Sequence, residues 1–350
     1  MTQTVNKEEM IQEMMAKWPH VVRDITKMVE DLNIPDVTKW VEKMLHYNVP
    51  KGKKSRALAF INAYKLLMPN DKLTQDNINS AWIFAWCIEM MQISLLMFDD
   101  MMDRSLFRRG QLCWYRHNVL GLAAVKDCTF LLSATDYLIR KYFKEKEYYI
   151  DLLELFHNII FHSAMGQSLD LLTTNFNNKL NLNTFTIDRY NSMAANKTAP
   201  ITYILPINAA LRLAGIKDQK IFSEVNPILL EMGLFFQVQD DYLACFGNSE
   251  ICGKDNTDIQ EGKCSWLIVV ALQRATPEQR RILEECYGVS DPEKIKRVMQ
   301  VFIDLDLPNV YSMYEKETYN LISAKIRQIS CNILQSILQN SLDKTYGRIA

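Results

Sequence analysis

Two aspartate clusters carry the chemistry most visible in this chain. Asp99-Asp100-Met101-Met102-Asp103 closes one strongly apolar stretch, and Gln237-Val238-Gln239-Asp240-Asp241 closes another far downstream. Bare carboxylates beside a core are unfavourable unless a cation offsets them, which points to metal ions and, through them, to phosphate. Asp99 and Asp103, four residues apart, share a helical face with Asp100 adjacent, so they can share a cation where unscreened like charges would repel. Gln237 lies one turn before Asp240 and Asp241, and a third segment offers Gln167 and Asp170, also three apart. The candidate metal ligands are therefore Asp99, Asp100, Asp103, Asp170, Asp240 and Asp241. One such pair alone would suit a solvated helix end equally well. Three clusters at the ends of apolar helices favour a metal site.

Basic groups complete the constellation. Gly52-Lys53-Lys54-Ser55-Arg56 opens a helix after a Pro-Gly break, where backbone donors and two cations can meet an anion. Arg108-Arg109-Gly110 follows the first aspartates by five residues, and Lys197-Thr198, Lys254 and Lys263 add point charges. Carboxylates for magnesium and cations for phosphate, set around greasy helices, imply an apolar substrate that carries a diphosphate.

The elements that must position these groups read as helices almost throughout, with little two-residue alternation, so the fold class is all-α. The spacing predicts helices at about Lys7 to Leu32, Asp36 to Leu45, Ser55 to Leu67, Asp76 to Met102, Val125 to Phe143 and Glu147 to Leu172. Further helices are predicted at about Thr184 to Ala195, Thr198 to Ala214, Gln219 to Phe246, Ser265 to Arg274, Pro277 to Tyr287, Pro292 to Asp304 and Tyr311 to Asn340. Ala81 to Phe98 is apolar almost all round, as a central buried helix should be. No repeat or low-complexity linker interrupts the chain, so residues 1–350 are expected to form one domain of antiparallel helices around a central cavity.

The 350 residues are 48% hydrophobic with a formal net charge of −1. Without a basic stripe, nucleic acid is not an expected partner. No run of roughly 18 uninterrupted apolar residues and no leader is seen, so neither a membrane span nor targeting is expected. Eight scattered cysteines without CxxC spacing suit free thiols in a reducing cytoplasm better than disulfides or zinc. Five unclustered histidines form no ligand set.

From about Gly52 to the C-terminus the chain resembles the trans-isoprenyl diphosphate synthases, nearest to animal farnesyl diphosphate synthases. The resemblance rests on GKxxR (Gly52 to Arg56), Gln92, DDxxD followed by RRGQxCWYR (Asp99 to Arg116), GQxLDLL (Gly166 to Leu172) and Lys197-Thr198. It continues in FFQVQDDYL (Phe235 to Leu243) and GKxxTDIQxxKCSWL (Gly253 to Leu267). It implies the all-α isoprenoid synthase fold, a homodimer, a prenyl diphosphate substrate and three Mg2+ ions, for which Mn2+ can substitute. Asp99, Asp103 and Asp240 would bind metal, and Arg108, Lys197 and Lys254 would hold the allylic diphosphate. Lys53, Arg56, Gln92, Arg109 and Arg348 would match the isopentenyl diphosphate pocket, while Lys197, Thr198 and Gln237 join the catalytic set beside the metal aspartates. The shared chemistry is ionisation of an allylic diphosphate in a water-poor cavity.

Departures from the family pattern cluster where the cation's fate is set. Ser94 and Leu95 stand where two aromatics commonly floor the chain pocket, and Ala244 replaces the last aspartate of the second motif. Pro200 interrupts the helix after Asn196-Lys197-Thr198, Lys126 and Asn256 replace a usual asparagine and glycine, and the basic tail shrinks to Tyr346-Gly347-Arg348-Ile349-Ala350. These changes favour, narrowly, a sesquiterpene synthase that ionises (E,E)-farnesyl diphosphate alone. Retention of Lys53, Arg56, Gln92, Arg109 and Arg348 supports the alternative, a chain-elongating prenyltransferase. A weak paralogue serving as a regulatory partner is the third reading.

Overall fold

A computed structural model of the chain describes residues 7–174, 180–247 and 257–348. It is all-α, as expected. Its strands among the described residues are Phe107–Arg108 and Gln111–Leu112, a two-stranded antiparallel hairpin in register 107↔112. The chain divides into two compact units, residues 1–158 with 205–218 and residues 159–204 with 219–350.

The first unit is built on α1 (Lys7–Glu30), α2 (Pro35–Asn48), α3 (Ser55–Leu67), α4 (Gln75–Met102) and α5 (Val125–Phe143). Helix α4 is its axis. Every residue from Ala81 to Ser94 is buried, so the helix has no polar face of its own and must be wrapped by its neighbours. Phe84 meets Phe60 of α3 and Phe143 of α5, and Trp86 packs at a tilt of 40° on Trp18 of α1 while its indole N–H donates to the Met14 carbonyl at 2.9 Å. Thr74 caps the N-terminus by accepting the Asn77 N–H. At the other end Asp103 closes the last turn, its amide donating to the Asp99 carbonyl at 2.8 Å.

Helix α6 (Tyr149–Thr173) begins in the first unit and ends in the second. The second unit continues through α7 (Ile187–Lys197), a π-helical turn at Pro200–Ile204, and, after α8 (Leu205–Leu213) of the first unit, α9 (Gln219–Phe246). It ends with α10 (Asp258–Glu261), α11 (Trp266–Arg274), α12 (Pro277–Cys286), α13 (Pro292–Asp304), α14 (Leu307–Ile326) and α15 (Asn332–Thr345). Trp266 to Ala271 of α11 are buried against Tyr190, Leu283, Phe302 and Leu307 in one apolar cluster. Tyr242 of α9 stacks face to face on Tyr311 of α14 with centroids 3.8 Å apart.

Two expectations are corrected. The helix predicted from Thr198 to Ala214 is a π-helical turn followed by α8, because Pro200 has no amide to continue the ladder of α7. The long helix predicted from Tyr311 to Asn340 breaks after Ile326, where the amide and hydroxyl of Ser330 both donate to Glu224 and turn the chain. Helices α4 and α9 are, by length and mean hydropathy (1.6 and 1.2), apolar enough to cross a membrane; 83% of that stretch of α4 is buried inside the protein, the mark of a core helix.

Helix α9 comes close to the turn after α7 at Gly233, where an added Cβ would lie 2.2 Å from the Ala199 Cβ and 2.4 Å from its Cα. Replacing Gly233 with Ala returns about 1 kcal/mol of helix propensity but overpacks the contact by about 1–3 kcal/mol. Backbone on the other side cannot swing away, which puts the overpacking at the upper end, about 2–3 kcal/mol, so Gly233→Ala should lose about 1–2 kcal/mol net in urea unfolding. A variant as stable as the parent would show that the two segments separate without cost.

Candidate active site

Adjacent residues on an α-helix point about 100° apart, so a tandem aspartate cannot send both carboxylates the same way. At the end of α4, Asp99 is partly exposed whereas Asp100 is buried at 3% exposure. Asp100 accepts from the Arg108 Nε at 2.7 Å, and the same guanidinium reaches Asp99 at 3.3 Å. Burial pushes the Asp100 carboxyl up, and Arg108 only partly counters this. Asp99 and Asp103 carry carboxylate oxygens within 4.8 Å of each other. They stand at the C-terminal end of α4, where unpaired carbonyls already concentrate negative potential. Two carboxylates in that position fit a divalent cation by spacing, charge and hard-oxygen chemistry.

The hairpin after α4 sets Arg108 and Arg109. Arg109 and Gly110 both have positive φ (54° and 71°), the signature of a type I′ turn. Glycine is at ease there. Arginine is not, so Arg109 is held in place by its neighbours. Its guanidinium donates to the Lys51 carbonyl and lies over Gly52, where any Cβ would fall 2.4 Å from the Arg109 Cζ. The GKxxR segment is thereby joined to the hairpin. Lys53 is exposed and Arg56 partly so, but Lys54 is turned inward. The Lys54 ammonium is 2% exposed, donates to the Val49 and Lys51 carbonyls at 2.8 Å each, and lies 3.8 Å from Glu89. Burial and the nearby Arg109 bring its pKa down to about 8 against the pull of Glu89. Gln92, one turn beyond Glu89, is buried, and its carbonyl oxygen has no protein partner among the described residues. Ser94, expected on the pocket floor, is fully buried, and its hydroxyl donates to the Cys128 carbonyl of α5 at 2.9 Å; Leu95 is partly exposed.

In the second unit the same division recurs. Asp240 is partly exposed and accepts from Arg348 at 2.9 Å, while that guanidinium also lies 4.4 Å from the Phe236 ring centre. Asp241 is buried, accepting the Trp266 amide at 2.8 Å and the Gln237 side-chain N–H at 2.7 Å. Gln237 in turn accepts from the Thr198 hydroxyl, which makes a relay Thr198–Gln237–Asp241. Burial, reinforced by the Asp258 carboxylate, pushes Asp241 up to about 7. Tyr190, buried beside Asp241, was not anticipated from the sequence.

Asp170 of α6 is buried and accepts from Lys197 at 2.7 Å and Lys263 at 2.9 Å on one oxygen. Gly166, one turn earlier, permits this: a Cβ there would lie 2.2 Å from the Lys197 backbone nitrogen. Of the residues expected on sequence grounds, Lys254, Asn256 and Cys252 lie outside the described residues.

The polyprenyl synthetase family matches residues 38–305. The chain belongs to that family. Among similar proteins, the farnesyl pyrophosphate synthase of Murgantia histrionica is 44% identical over 346 residues, covering 99% of this chain and 84% of that protein. The human farnesyl pyrophosphate synthase is 40% identical, covering 96% of this chain and 80% of that one. In structure, a T. Brucei farnesyl diphosphate synthase in complex with a bisphosphonate superposes with a TM-score of 0.91 at 29% identity, over 97% of this chain and 99% of that chain. The chain is a trans-isoprenyl diphosphate synthase similar to animal farnesyl enzymes, and it has the all-α isoprenoid synthase fold. Family membership and the aspartate pair together make this a prenyl diphosphate enzyme with an acidic site suited to divalent metal.

Sequence reasoning missed Glu89 and the inward turn of Lys54. A signal was available: Glu89 is the one acidic residue between Ala81 and Phe98, and a charge inside an apolar helix requires a partner.

Asp170 is expected to dominate the stability of its cluster. Its burial raises the carboxyl's pKa, but Lys197 and Lys263 outweigh that and hold it below the ordinary 3.8. A carboxyl depressed on folding stabilises fully above its unfolded pKa, and the contribution fades as pH falls through the folded value. Asp170→Asn, with metal chelated, should cost about 3 kcal/mol near neutral pH. The gap to the parent should close as the pH falls below the usual carboxylate range. Urea unfolding against pH reads this, and a gap that persists undiminished in acid would show the lysine pairing is not its source.

Proposed function

We propose that the chain is a chain-elongating prenyltransferase that condenses isopentenyl diphosphate with an allylic diphosphate, giving farnesyl diphosphate or a related isoprenyl diphosphate. One observation carries this reading. Besides the Asp99/Asp103 pair and Arg108, the first unit keeps a second group, Lys53 and Arg109 on a loop and hairpin braced against each other and Arg56 in the first turn of α3, together with the buried Gln92 on α4. An enzyme that ionises a single diphosphate has no use for it. The relatives named farnesyl pyrophosphate synthase support the same choice over the sesquiterpene synthase favoured from the sequence. The unbroken family match over residues 38–305 supports one catalytic domain.

In this reading Asp99, Asp103 and Asp240 would hold magnesium, for which Mn2+ can substitute, and Asp170 is a further acidic group. Bound magnesium supplies the Lewis acidity that stabilises the leaving diphosphate. Arg108, Lys197, Lys254 and Lys263 bind that diphosphate, and the carbon–oxygen bond breaks with its electron pair on the departing oxygen. The Thr198 hydroxyl and Gln237 carbonyl, fixed against each other, place oxygen dipoles to stabilise the allylic cation. Lys53, Arg56, Arg109 and Gln92 orient isopentenyl diphosphate so that its double bond attacks the cation. Loss of one proton then restores a double bond. Asp100 and Asp241 act from inside, by fixing Arg108 and Gln237. Arg348, assigned by resemblance to the isopentenyl pocket, pairs with Asp240 instead and is placed here with the second aspartate cluster.

A homodimer is proposed on the exposed stripe Phe161, Met165 and Leu172 of α6, whose spacing of four and seven residues forms one apolar helix face. Cytoplasmic residence is supported by the free cysteines, most of them buried and none bonded among those described.

The π-helical turn at Pro200 specifically favours the second reading, a terpene synthase, because such turns present backbone carbonyls irregularly. The two separate cleanly. With Mg2+, geranyl diphosphate and isopentenyl diphosphate, a longer diphosphate should accumulate, and (E,E)-farnesyl diphosphate alone should yield no volatile above a metal-free control. A sesquiterpene from farnesyl diphosphate alone, without elongation, overturns the proposal. Asp99→Ala and Asp103→Ala should each lower kcat by about 10^3-fold. A variant retaining near-parental turnover would refute its assignment as a ligand. Phe at both Ser94 and Leu95 should shorten the product, and an unaltered chain length would remove them from the pocket floor.

A further inference from the structure

The first unit contains a buried lysine that neither the metal site nor the diphosphate reading uses. Lys54 occupies the left-handed region (φ 54°) immediately before α3, a conformation costly for a side-chain-bearing residue. Its ammonium donates to the Val49 and Lys51 carbonyls, faces Glu89 at 3.8 Å and lies 5.2 Å from the Trp86 ring centre. The Lys51 carbonyl is a hub, accepting from Lys54 on one side and from Arg109 on the other. The loop is laced to the hairpin a second time, since Lys51 donates to Gln111, Gln111 donates to the Tyr47 carbonyl, and the Tyr47 hydroxyl donates to the Leu112 carbonyl. All the contacts from Lys54 run inward. The outward residues flanking it, Lys53 and Arg56, are those read as diphosphate ligands, and Glu89 stands one turn from Gln92 on α4.

We propose that Lys54 is a positioning residue for the homoallylic substrate: clamped between Glu89 and the Val49 and Lys51 carbonyls, it holds Lys53, Arg56 and Arg109 in the arrangement that receives the second diphosphate. The inference rests on the condensation reading. It goes further in naming a residue that touches no substrate yet sets affinity for one substrate only. The geometry makes that selectivity specific: Lys54 braces the loop that carries Lys53 and leads into α3 with Arg56, and it shares an acceptor with Arg109. No contact of its side chain reaches Asp99, Asp103 or Arg108.

The test measures KM for isopentenyl diphosphate and for geranyl diphosphate separately in the magnesium-loaded full chain, for the parent, Lys54→Met and Lys54→Met/Glu89→Met. The single variant strands a buried carboxylate, whereas the double variant replaces the pair with side chains of similar volume and keeps the fold. The expected result is a rise of ten-fold or more in KM for isopentenyl diphosphate in both variants, with KM for geranyl diphosphate within two-fold of the parent and a double-variant Tm near the parent's. A double variant with parental KM for isopentenyl diphosphate overturns the proposal. So do equal rises in both KM values, or a double variant that does not fold, since either marks a general structural role. A parent that forms no longer diphosphate overturns the condensation reading itself, an outcome distinct from a parent that condenses and variants that do so unchanged.

Discussion

A tandem aspartate at the end of a buried helix must divide its two carboxylates, one inward and one outward, and the rest of the site follows from what the inward one demands. Asp100 and Asp241 each lie in the protein, where an uncompensated carboxylate would be among the most unfavourable groups in the molecule. Asp100 draws in Arg108, which fixes the hairpin; the hairpin carries Arg109, and Arg109 fixes the loop before α3. Asp241 draws in the Trp266 amide and Gln237, and Gln237 fixes the Thr198 hydroxyl. In both units one buried acid organises the neighbours of an outward one, Asp99 meeting Arg108 and Asp240 meeting Arg348.

The second unit adds a different constraint, close approach of backbones. Gly166 lets Lys197 come within reach of Asp170, and Gly233 lets α9 meet Ala199 at the start of the π-helical turn. The lysines that resemblance places on a diphosphate are thus held by an acid and by contacts that no side chain could share. Lys197 and Lys263 converge on one oxygen of Asp170, so the cluster offers its positive charge from a fixed geometry and needs little reorganisation to bind an anion.

Fold class and the prenyl diphosphate chemistry in its general form were legible because they depend on periodicity and residue type, whereas the favoured choice of a sesquiterpene synthase is not the reading the relatives support. Ala81 to Phe98 announces a central helix, and Asp99 with Asp103 announces a shared cation, whatever surrounds them. What could not be read depends on direction. The GKKSR run gives two lysines, but only the backbone turn at Lys54 decides that one points into the core. The DD pairs give two acids each, but which of them is buried is settled by neighbours distant in sequence, Trp266 for Asp241 among them. The break at Ser330 was invisible for the same reason, since its partner Glu224 is over a hundred residues away.

The buried acids also differ in kind, and this gives the loss of the second motif's final aspartate a physical meaning. Asp100 is met by a guanidinium, a full opposite charge, whereas Asp241 is met by an amide and a carboxamide, both neutral, with Asp258 adding repulsion. Asp241 is accordingly raised to about 7 while already close to like charge. An aspartate at 244, one turn further along the same face of α9, would add a third carboxylate and push Asp241 higher still. With Ala244 that repulsion is missing, so the relay to Gln237 and Thr198 retains more of its ionised anchor. The substitution therefore relieves charge on the buried aspartate and leaves the outward carboxylate of Asp240 in place, which is a reason to read Ala244 as compatible with metal binding.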